Sequence, residues 1–298
     1  MRIAVTGSSG LIGSALCDSL AADGHEVVRL VRRAPAGPAE VRWDPRRGTV
    51  DGAGLAGCEA VVHLAGAGIG DRRWTDARKK ELVDSRVLGT GTIARAAAGL
   101  DSPPRVLVSA SAIGIYGDTG DRAVDEDTPP GSGFLAELCQ EWEAAADPAR
   151  AAGIRTVHPR TGLVVAKGGG AWARLFPLFK AGLGGRLGDG RQFWSFISLH
   201  DEVAAIRYAL DTAELSGPVN LTAPEPLTNR EITALMGKVL HRPTVAAVPE
   251  SVLRLVLGEL AQDVVGSQRV LPKRLSESGF RFAFPGFEQA VTAALSSG

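Results

Sequence analysis

The chain has 298 residues, 45% of them hydrophobic, with 33 basic and 33 acidic side chains and no formal net charge. That length fits one large α/β domain, or one with a smaller appendage, and allows a substantial core. The charge balance excludes a sequence-independent nucleic-acid binder and a polybasic membrane protein, and three isolated cysteines, Cys17, Cys58 and Cys139, fit a reducing cytosol better than a disulfide framework. The histidines, at positions 25, 63, 158, 200 and 241, are scattered, so no zinc site is expected. No apolar run reaches the ~18 residues of a membrane span. The first strand begins at Arg2, leaving no room for a signal peptide, and a cytoplasmic location is expected.

Arg2–Thr6 reads as a short strand that runs into Gly7, Gly10 and Gly13, and a helix follows over Leu11–Ala22. Ile12, Leu16 and Leu20 share one face of that helix and Gly24 stops it. A dinucleotide pyrophosphate needs this order. Gly7 permits the tight turn, Gly10 lets the backbone approach the phosphates, and Gly13 lets the helix pack close to the strand. Thr6, Ser9, Leu11 and Ile12 complete the candidate loop, whose free N–H groups face the anion. The next apolar run, Glu26–Val31, ends in Arg32 and Arg33 with no acid at its tip. An acid there would bond a ribose 2′-hydroxyl, whereas arginine favours a 2′-phosphate, so NADP(H) is the expected cofactor.

Ala60–Ala65 is a further strand, entered from Gly57; its end, His63, Leu64, Ala65 and Gly66, is small enough for a cofactor to lie across it. His63 itself reads as a core histidine rather than a catalyst. Asp76–Ala98 is a long helical stretch, and Arg105–Ser109 and Ile154–His158 are strand-like. Alternating units of this length predict an α/β fold, a doubly wound parallel sheet with helices on both faces. The second half differs. Glycine clusters at 168–170 and 182–185 interrupt it, and helices dominate after Asp201. Thr228 and Glu231 form a capping box opening a helix to Leu240, and Pro249–Leu260 and Phe287–Leu295 are helix candidates. The expected division is a nucleotide-binding domain over 1–160 and, over 161–298, a smaller C-terminal substrate lobe with a helical tail. The two interleave, because Pro218–Leu221 returns to the main sheet.

Taken together, the residues 6–13 (TGSSGLIG), 62–65 (VHLA) and 109–117 (SASAIGIYG) resemble motifs of the extended short-chain dehydrogenase/reductases. Arg72 to Asp76, Ser85-Arg86, 185–192 (GRLGDGRQ), 196–201 (FISLHD) and the tail from Pro249 to Phe287 resemble an atypical epimerase-like branch, the SulA-type oxidoreductases. The resemblance covers nearly the whole chain. It implies a Rossmann fold and NADP(H) binding, with Ser109, Ala110, Pro159 and Thr161 near the cofactor. It also implies a pocket built by Arg73, Trp74, Arg191, Gln192 and Trp194. A pocket of arginine and tryptophan suits an anionic or aromatic small molecule.

One departure matters. The superfamily's YxxxK pair, whose lysine lowers the tyrosine pKa for proton exchange, is replaced here by Phe134 and Leu138. Neither Tyr116 nor Tyr208 has a lysine four residues on. Ser111 and Tyr116 are the remaining candidates for oxyanion support and proton donation. Two readings therefore stand: an NADP(H)-dependent oxidoreductase for a small carbonyl compound or sugar nucleotide, and an NADPH-binding regulator without catalysis. An epimerase using tightly held NAD is disfavoured by Arg32 and Arg33. A homodimer is compatible with either reading, and no nucleic acid, membrane or metal is expected.

Overall fold

The computed structural model describes residues 1–51 and 54–296. The first half runs β1 (Arg2–Thr6), α1 (Leu11–Ala22), β2 (Glu26–Val31), β3 (Glu40–Asp44), β4 (Thr49–Val50), β5 (Ala60–His63), α2 (Asp76–Ala98), β6 (Val106–Ser109) and β7 (Ser111–Ala112). A single 3₁₀ turn, Ile113–Tyr116, leads toward α3 (Phe134–Ala144), α4 (Asp147–Ala151), β8 (Arg155–Thr161) and β9 (Leu163–Val165). Next come α5 (Trp172–Lys180), β10 (Gly185–Leu187), β11 (Phe193–Trp194), β12 (Phe196–Ser198), α6 (Leu199–Asp211) and β13 (Gly217–Leu221). The tail holds β14 (Leu227–Thr228), α7 (Asn229–Leu240), β15 (Ala246–Val248), α8 (Glu250–Leu257), α9 (Leu260–Val265), α10 (Lys273–Glu277) and α11 (Phe287–Ser296).

The main sheet has the order β13-β8-β6-β5-β1-β2-β3-β4, parallel except for β4. The expected doubly wound α/β fold is the one observed. Strand order reverses between β1 and β5, so the crevice at their carboxyl ends is where such sheets bind ligands. There Thr6 lies beside His63 in register.

Alternate residues of the parallel strands feed two cores. Val5, Val62, Val108 and Val157 pack with Leu16 and Leu20 of α1 and Ile206 and Leu210 of α6. Ala4, Val61 and Leu107 pack on the other face with Ile93, Ala94 and Ala97 of α2. A third core is built on Trp172, Phe176, Phe196 and Phe287.

Several short strands go beyond the sequence reading, β3 and β4 of the main sheet among them. β3 and β4 bury only Trp43 fully, so they carry too little alternation to be read as strands. The Pro249–Leu260 helix is instead two helices, because Gly258 at φ 64° breaks it between α8 and α9. β13 joins β8 at the edge of the main sheet, so residues 217–221 do return to it. No helix among the described residues is long and apolar enough to cross a membrane.

Candidate functional site

The glycine loop is built by backbone collisions that only glycine avoids. Gly7 has φ +66°, and a Cβ there would lie 2.8 Å from the Leu64 carbonyl carbon and 2.9 Å from Ala65 N. A Cβ on Gly13 would fall 2.1 Å from the Gly7 oxygen. Gly10 differs. Its N–H donates to Gly7 O at 2.9 Å, and a Cβ there meets only that oxygen, at 3.3 Å. Two glycines thus serve the protein's own packing, while Gly10 keeps space on the ligand side. Gly10 caps α1, and no side chain bonds the helix's first N–H groups. The donors of Leu11, Ile12 and Gly13 therefore have no partner within the helix and present partial positive charge. No acid sits in that first turn. The loop fits a diphosphate.

Thr6 locks this loop to β5. Its Oγ1 accepts hydrogen bonds from Leu64 N at 3.1 Å and Ala65 N at 3.2 Å. Both acceptor positions are then used, so the hydroxyl proton goes to His63 Nδ1, 2.8 Å away. His63 therefore carries its proton on Nε2. Its ring is fully buried edge-on against Trp43 at 5.7 Å, and burial lowers its pKa to about 3. A neutral histidine that positions the strand end agrees with the core reading.

The two candidate 2′-phosphate arginines part company. Arg33 forms a bidentate pair with Glu40, at 2.7 and 2.6 Å, and the Arg33 hydrogen bond holds the Glu40 carboxyl down at about 2. Glu40 lies at the start of β3, seven residues on. The absence of an acid from the strand tip is true of sequence but not of space. Arg32 is exposed and has no hydrogen bond or ion pair among the described residues, which leaves it as the available guanidinium.

Tyr116 corrects the expectation of a loop donor. It is 2% exposed and sits in a small core with Ile115, Val124 and Val270. Its hydroxyl donates to Asn220 Oδ1 at 2.9 Å and accepts from Arg160 Nη1 at 2.9 Å. Burial raises its pKa, against the pull of Arg160. Ser111 is buried as well, and its Oγ donates to Glu143 Oε1 at 2.7 Å. Arg160 closes the cluster with a bidentate pair to Glu143, at 2.8 and 3.0 Å. Burial pushes the Glu143 carboxyl up, but Arg160 outweighs it and the net shift is down. Asn220 in turn donates from Nδ2 to Leu271 O at 2.9 Å. The cluster ties β7, β8, β13, α3 and the tail together. Sequence reading missed Glu143, Arg160 and Asn220 because they lie on three separate segments with no shared motif. Tyr116→Phe is expected to lower stability by about 1–3 kcal/mol, since it strips a partner from two buried polar groups, and to leave NADPH affinity unchanged. Thermal melts beside a cofactor titration check it.

Two of the expected pocket residues, Trp74 and Gln192, are buried in contacts within the protein. Trp74 is 8% exposed, stacks edge-on to Phe134 at 5.0 Å and donates from Nε1 to Ile69 O at 3.0 Å. It packs with Leu82 and Leu138, so it is a core residue rather than a pocket wall. Gln192 is also buried, donating to Leu187 O at 3.0 Å. Trp194 donates to Val264 O at 3.3 Å and lies edge-on to Trp172. Arg73 is exposed, beside Gly258. Arg191 lines a separate open cavity of about 560 Å³ with Phe193, Arg230 and Arg269.

Ala110 N donates to His63 O at 2.9 Å, and Pro159 pairs with Val219 inside the sheet. Ser109 is fully buried with no partner for its Oγ among the described residues. Thr161 Oγ1 donates to Glu202 Oε1 at 2.7 Å. Glu202 is fully buried, and burial raises its pKa to about 8. The raised value means that its contribution is intact below the ordinary value of 4.5 and is lost as pH rises toward about 8. Glu202→Gln should therefore gain on wild type progressively across that window, by about 4 kcal/mol at its alkaline end. Urea unfolding at several pH values reads the difference; a pH-independent gap rules it out. Among the described residues, no three or more His, Cys, Asp or Glu side chains gather where they could hold a metal.

Known proteins align with this chain along its length. The model of the NAD dependent epimerase/dehydratase family matches residues 3–221, and a domain of unknown function, DUF1731, matches residues 248–294. The epimerase family protein Mb2239 of Mycobacterium bovis is 47% identical over 281 residues, covering 94% of this chain and 93% of that protein. The crystal structure of human epimerase family protein SDR39U1 with NADPH superposes with a TM-score of 0.92 at 33% identity, covering all of both chains. A nucleoside-diphosphate sugar epimerase from Corynebacterium glutamicum superposes at 0.83 with 34% identity, over 99% of this chain and 58% of that one.

Proposed function

Because the chain belongs to the NAD dependent epimerase/dehydratase family, we propose that it is an NADP(H)-dependent oxidoreductase of the epimerase-like short-chain dehydrogenase/reductase group. Its substrate would be a small carbonyl compound or a sugar nucleotide. The observation that carries the reading is the glycine loop at the strand-order reversal, where Gly10 leaves ligand-side space and the α1 N–H groups point into it. The similarity to human SDR39U1, crystallised with NADPH, supports that cofactor. When bound, NADPH supplies a hydride.

The chain's own residues hold and orient it. Ser9 and Gly10 to Gly13 take the diphosphate, Thr6 and Gly7 fix the loop that presents them, and Leu64 to Gly66 floor the cleft. Ser109, Ala110, Pro159 and Thr161 border its nicotinamide end. Arg32 takes the 2′-phosphate. Arg32→Ala should therefore cut the preference for NADPH over NADH by about 10- to 100-fold, the worth of one charge-assisted contact, while Arg33→Ala changes it far less because Glu40 already holds that guanidinium. Titrating both cofactors into both variants checks this, and equal NADPH and NADH affinities in wild type would remove the 2′-phosphate contact altogether. Oxidation of NADPH against a library of carbonyl compounds and sugar nucleotides tests the activity.

The second reading, an NADPH-binding regulator, rests on a specific observation. Phe134 and Leu138 stand at the positions of the family's proton relay, and Leu138 is 2% exposed in an apolar cluster with Trp74 and Leu82. Among the described residues Tyr116, Tyr208 and Ser111 all spend their hydroxyls on partners within the protein. NADPH binding without turnover of any library member favours this reading.

A further inference from the structure

A second concave site lies outside the cleft. It is the open cavity of about 560 Å³ between the turn at Asp121, the loop running into β11, the first turn of α7 and the tail at Arg269. Cavities of roughly 300–1,000 Å³ take small organic ligands. No residue of the glycine loop or of the β5 end lines it, and neither do Ser109, Ala110, Pro159 or Thr161. The register of β11 and β14 sets its direction. Trp194 pairs with Leu227, and both pack against the third core. Phe193 pairs with Thr228 one residue along, so these two point to the opposite face and line the cavity.

Three arginines line this cavity, Arg191, Arg230 and Arg269. None has a carboxylate within 4.0 Å among the described residues. Asp121 is the only acid among the lining residues, and it is its carbonyl oxygen that accepts from Arg269 Nη1, at 3.0 Å. The nearby Glu231 turns its carboxylate back on the helix cap, accepting from Thr228 N at 2.8 Å and Thr228 Oγ1 at 2.7 Å. Arg230 is the second residue of α7, where the positive end of the helix dipole disfavours a cation. Three like charges and a helix N-terminus around one hollow repel one another, and an anion in the hollow offsets that repulsion. The arginines are also held in place. Arg230 N donates to Gly190 O at 2.9 Å and its Nη2 to Asp189 O at 3.1 Å. Arg191 N donates to Asp189 Oδ1 at 2.9 Å. The Arg269 guanidinium carbon lies 4.8 Å from the Phe193 ring centroid, and Arg269 N donates to Thr119 Oγ1 at 3.1 Å. Arg230 and Arg269 each spend one guanidinium hydrogen bond within the protein and Arg191 none among the described residues, so most of their five donors stay available.

We propose that this cavity is a second ligand site, outside the dinucleotide cleft, for a small molecule that carries two or more phosphate groups. The guanidinium fork matches phosphate oxygens in pairs, and three such forks on separate segments exceed what a single carboxylate can satisfy. The concave shape suits a small molecule rather than the flat face of a macromolecule. Occupancy of this site is independent of the dinucleotide reading.

Inorganic pyrophosphate is the probe. It is titrated by calorimetry, at constant ionic strength, into wild type, Arg191→Gln/Arg230→Gln and Arg191→Lys/Arg230→Lys, each with and without saturating NADPH. In NADPH-loaded wild type the glycine loop is filled, and one pyrophosphate still binds. The Gln pair weakens it by about 100-fold, two charge-assisted contacts at about 10-fold each. The Lys pair recovers only part, because the charge returns without the fork. Both arginines are exposed, so both variants keep the wild-type Tm without ligand, and pyrophosphate raises the Tm of wild type more than that of the Gln pair. Pyrophosphate that binds wild type only in the absence of NADPH sits in the glycine loop and overturns the proposal. So does a Gln pair that binds it as wild type does, or a wild type that does not bind it at all. A wild type that takes up no NADPH overturns the dinucleotide reading instead, and the comparison with the Gln pair still decides this site.

Discussion

Gly10→Val should yield a folded protein that has lost NADPH, with affinity down by about 100-fold or more, whereas Gly13→Val should not fold to the native state. The two glycines are three residues apart in one loop, and the difference follows from what a new side chain would meet. At Gly10 the protein itself offers a single contact, the Gly7 oxygen at 3.3 Å. The valine methyls would therefore occupy the ligand's space, and several charge-assisted contacts would be lost together. At Gly13 the same oxygen lies 2.1 Å from the new Cβ. Strand and helix would have to separate, and with them the packing of Leu16 and Leu20 on Val5 and Val62. Circular dichroism and NADPH fluorescence on both variants decide the matter. A folded Gly10→Val that binds like wild type would show that the diphosphate does not lie against this loop.

Arg160→Met is the second large effect, a loss of about 3–5 kcal/mol in urea unfolding. The substitution leaves Glu143 mostly buried without its counter-charge and removes a hydrogen bond from Tyr116. Adding Glu143→Gln to it should recover part of the loss, since the two residues form one network and their effects do not add. If the single variant costs less than about 1 kcal/mol, the pair behaves like a surface ion pair and is not what joins these elements.

The contrast between the two sites explains what is legible in the sequence. The glycine loop is local. Its strand, turn and helix are contiguous, and their spacing follows from backbone sterics, so thirteen residues reveal it. The doubly wound sheet is legible for a related reason, as buried parallel strands read as short apolar runs between helices. The polar cluster is not local. Ser111, Glu143, Arg160 and Asn220 meet only because β7, β8 and β13 are neighbours, and no spacing encodes that. Tyr116 misleads for the same reason, since a tyrosine after a strand looks accessible until Asn220 and Val270 close over it. Arg33 misleads through Glu40, which belongs to a strand too weakly patterned to recognise. Trp74 and Gln192 sit in motifs of the right composition, but their indole and amide groups bond backbone carbonyls inside the protein.

β13 reaches the sheet from position 217 and covers the side of β8. During synthesis the ribosome delivers β8 long before β13, so the nascent chain carries an unpaired strand edge while the fifty-five residues between them are made. Such an edge is a template for pairing with a neighbouring chain. The intervening segment includes α6, whose Ile206 and Leu210 pack on the face of the same sheet. Slowed translation between 162 and 216 should therefore favour aggregation on the polysome, while a stall after residue 221 should not.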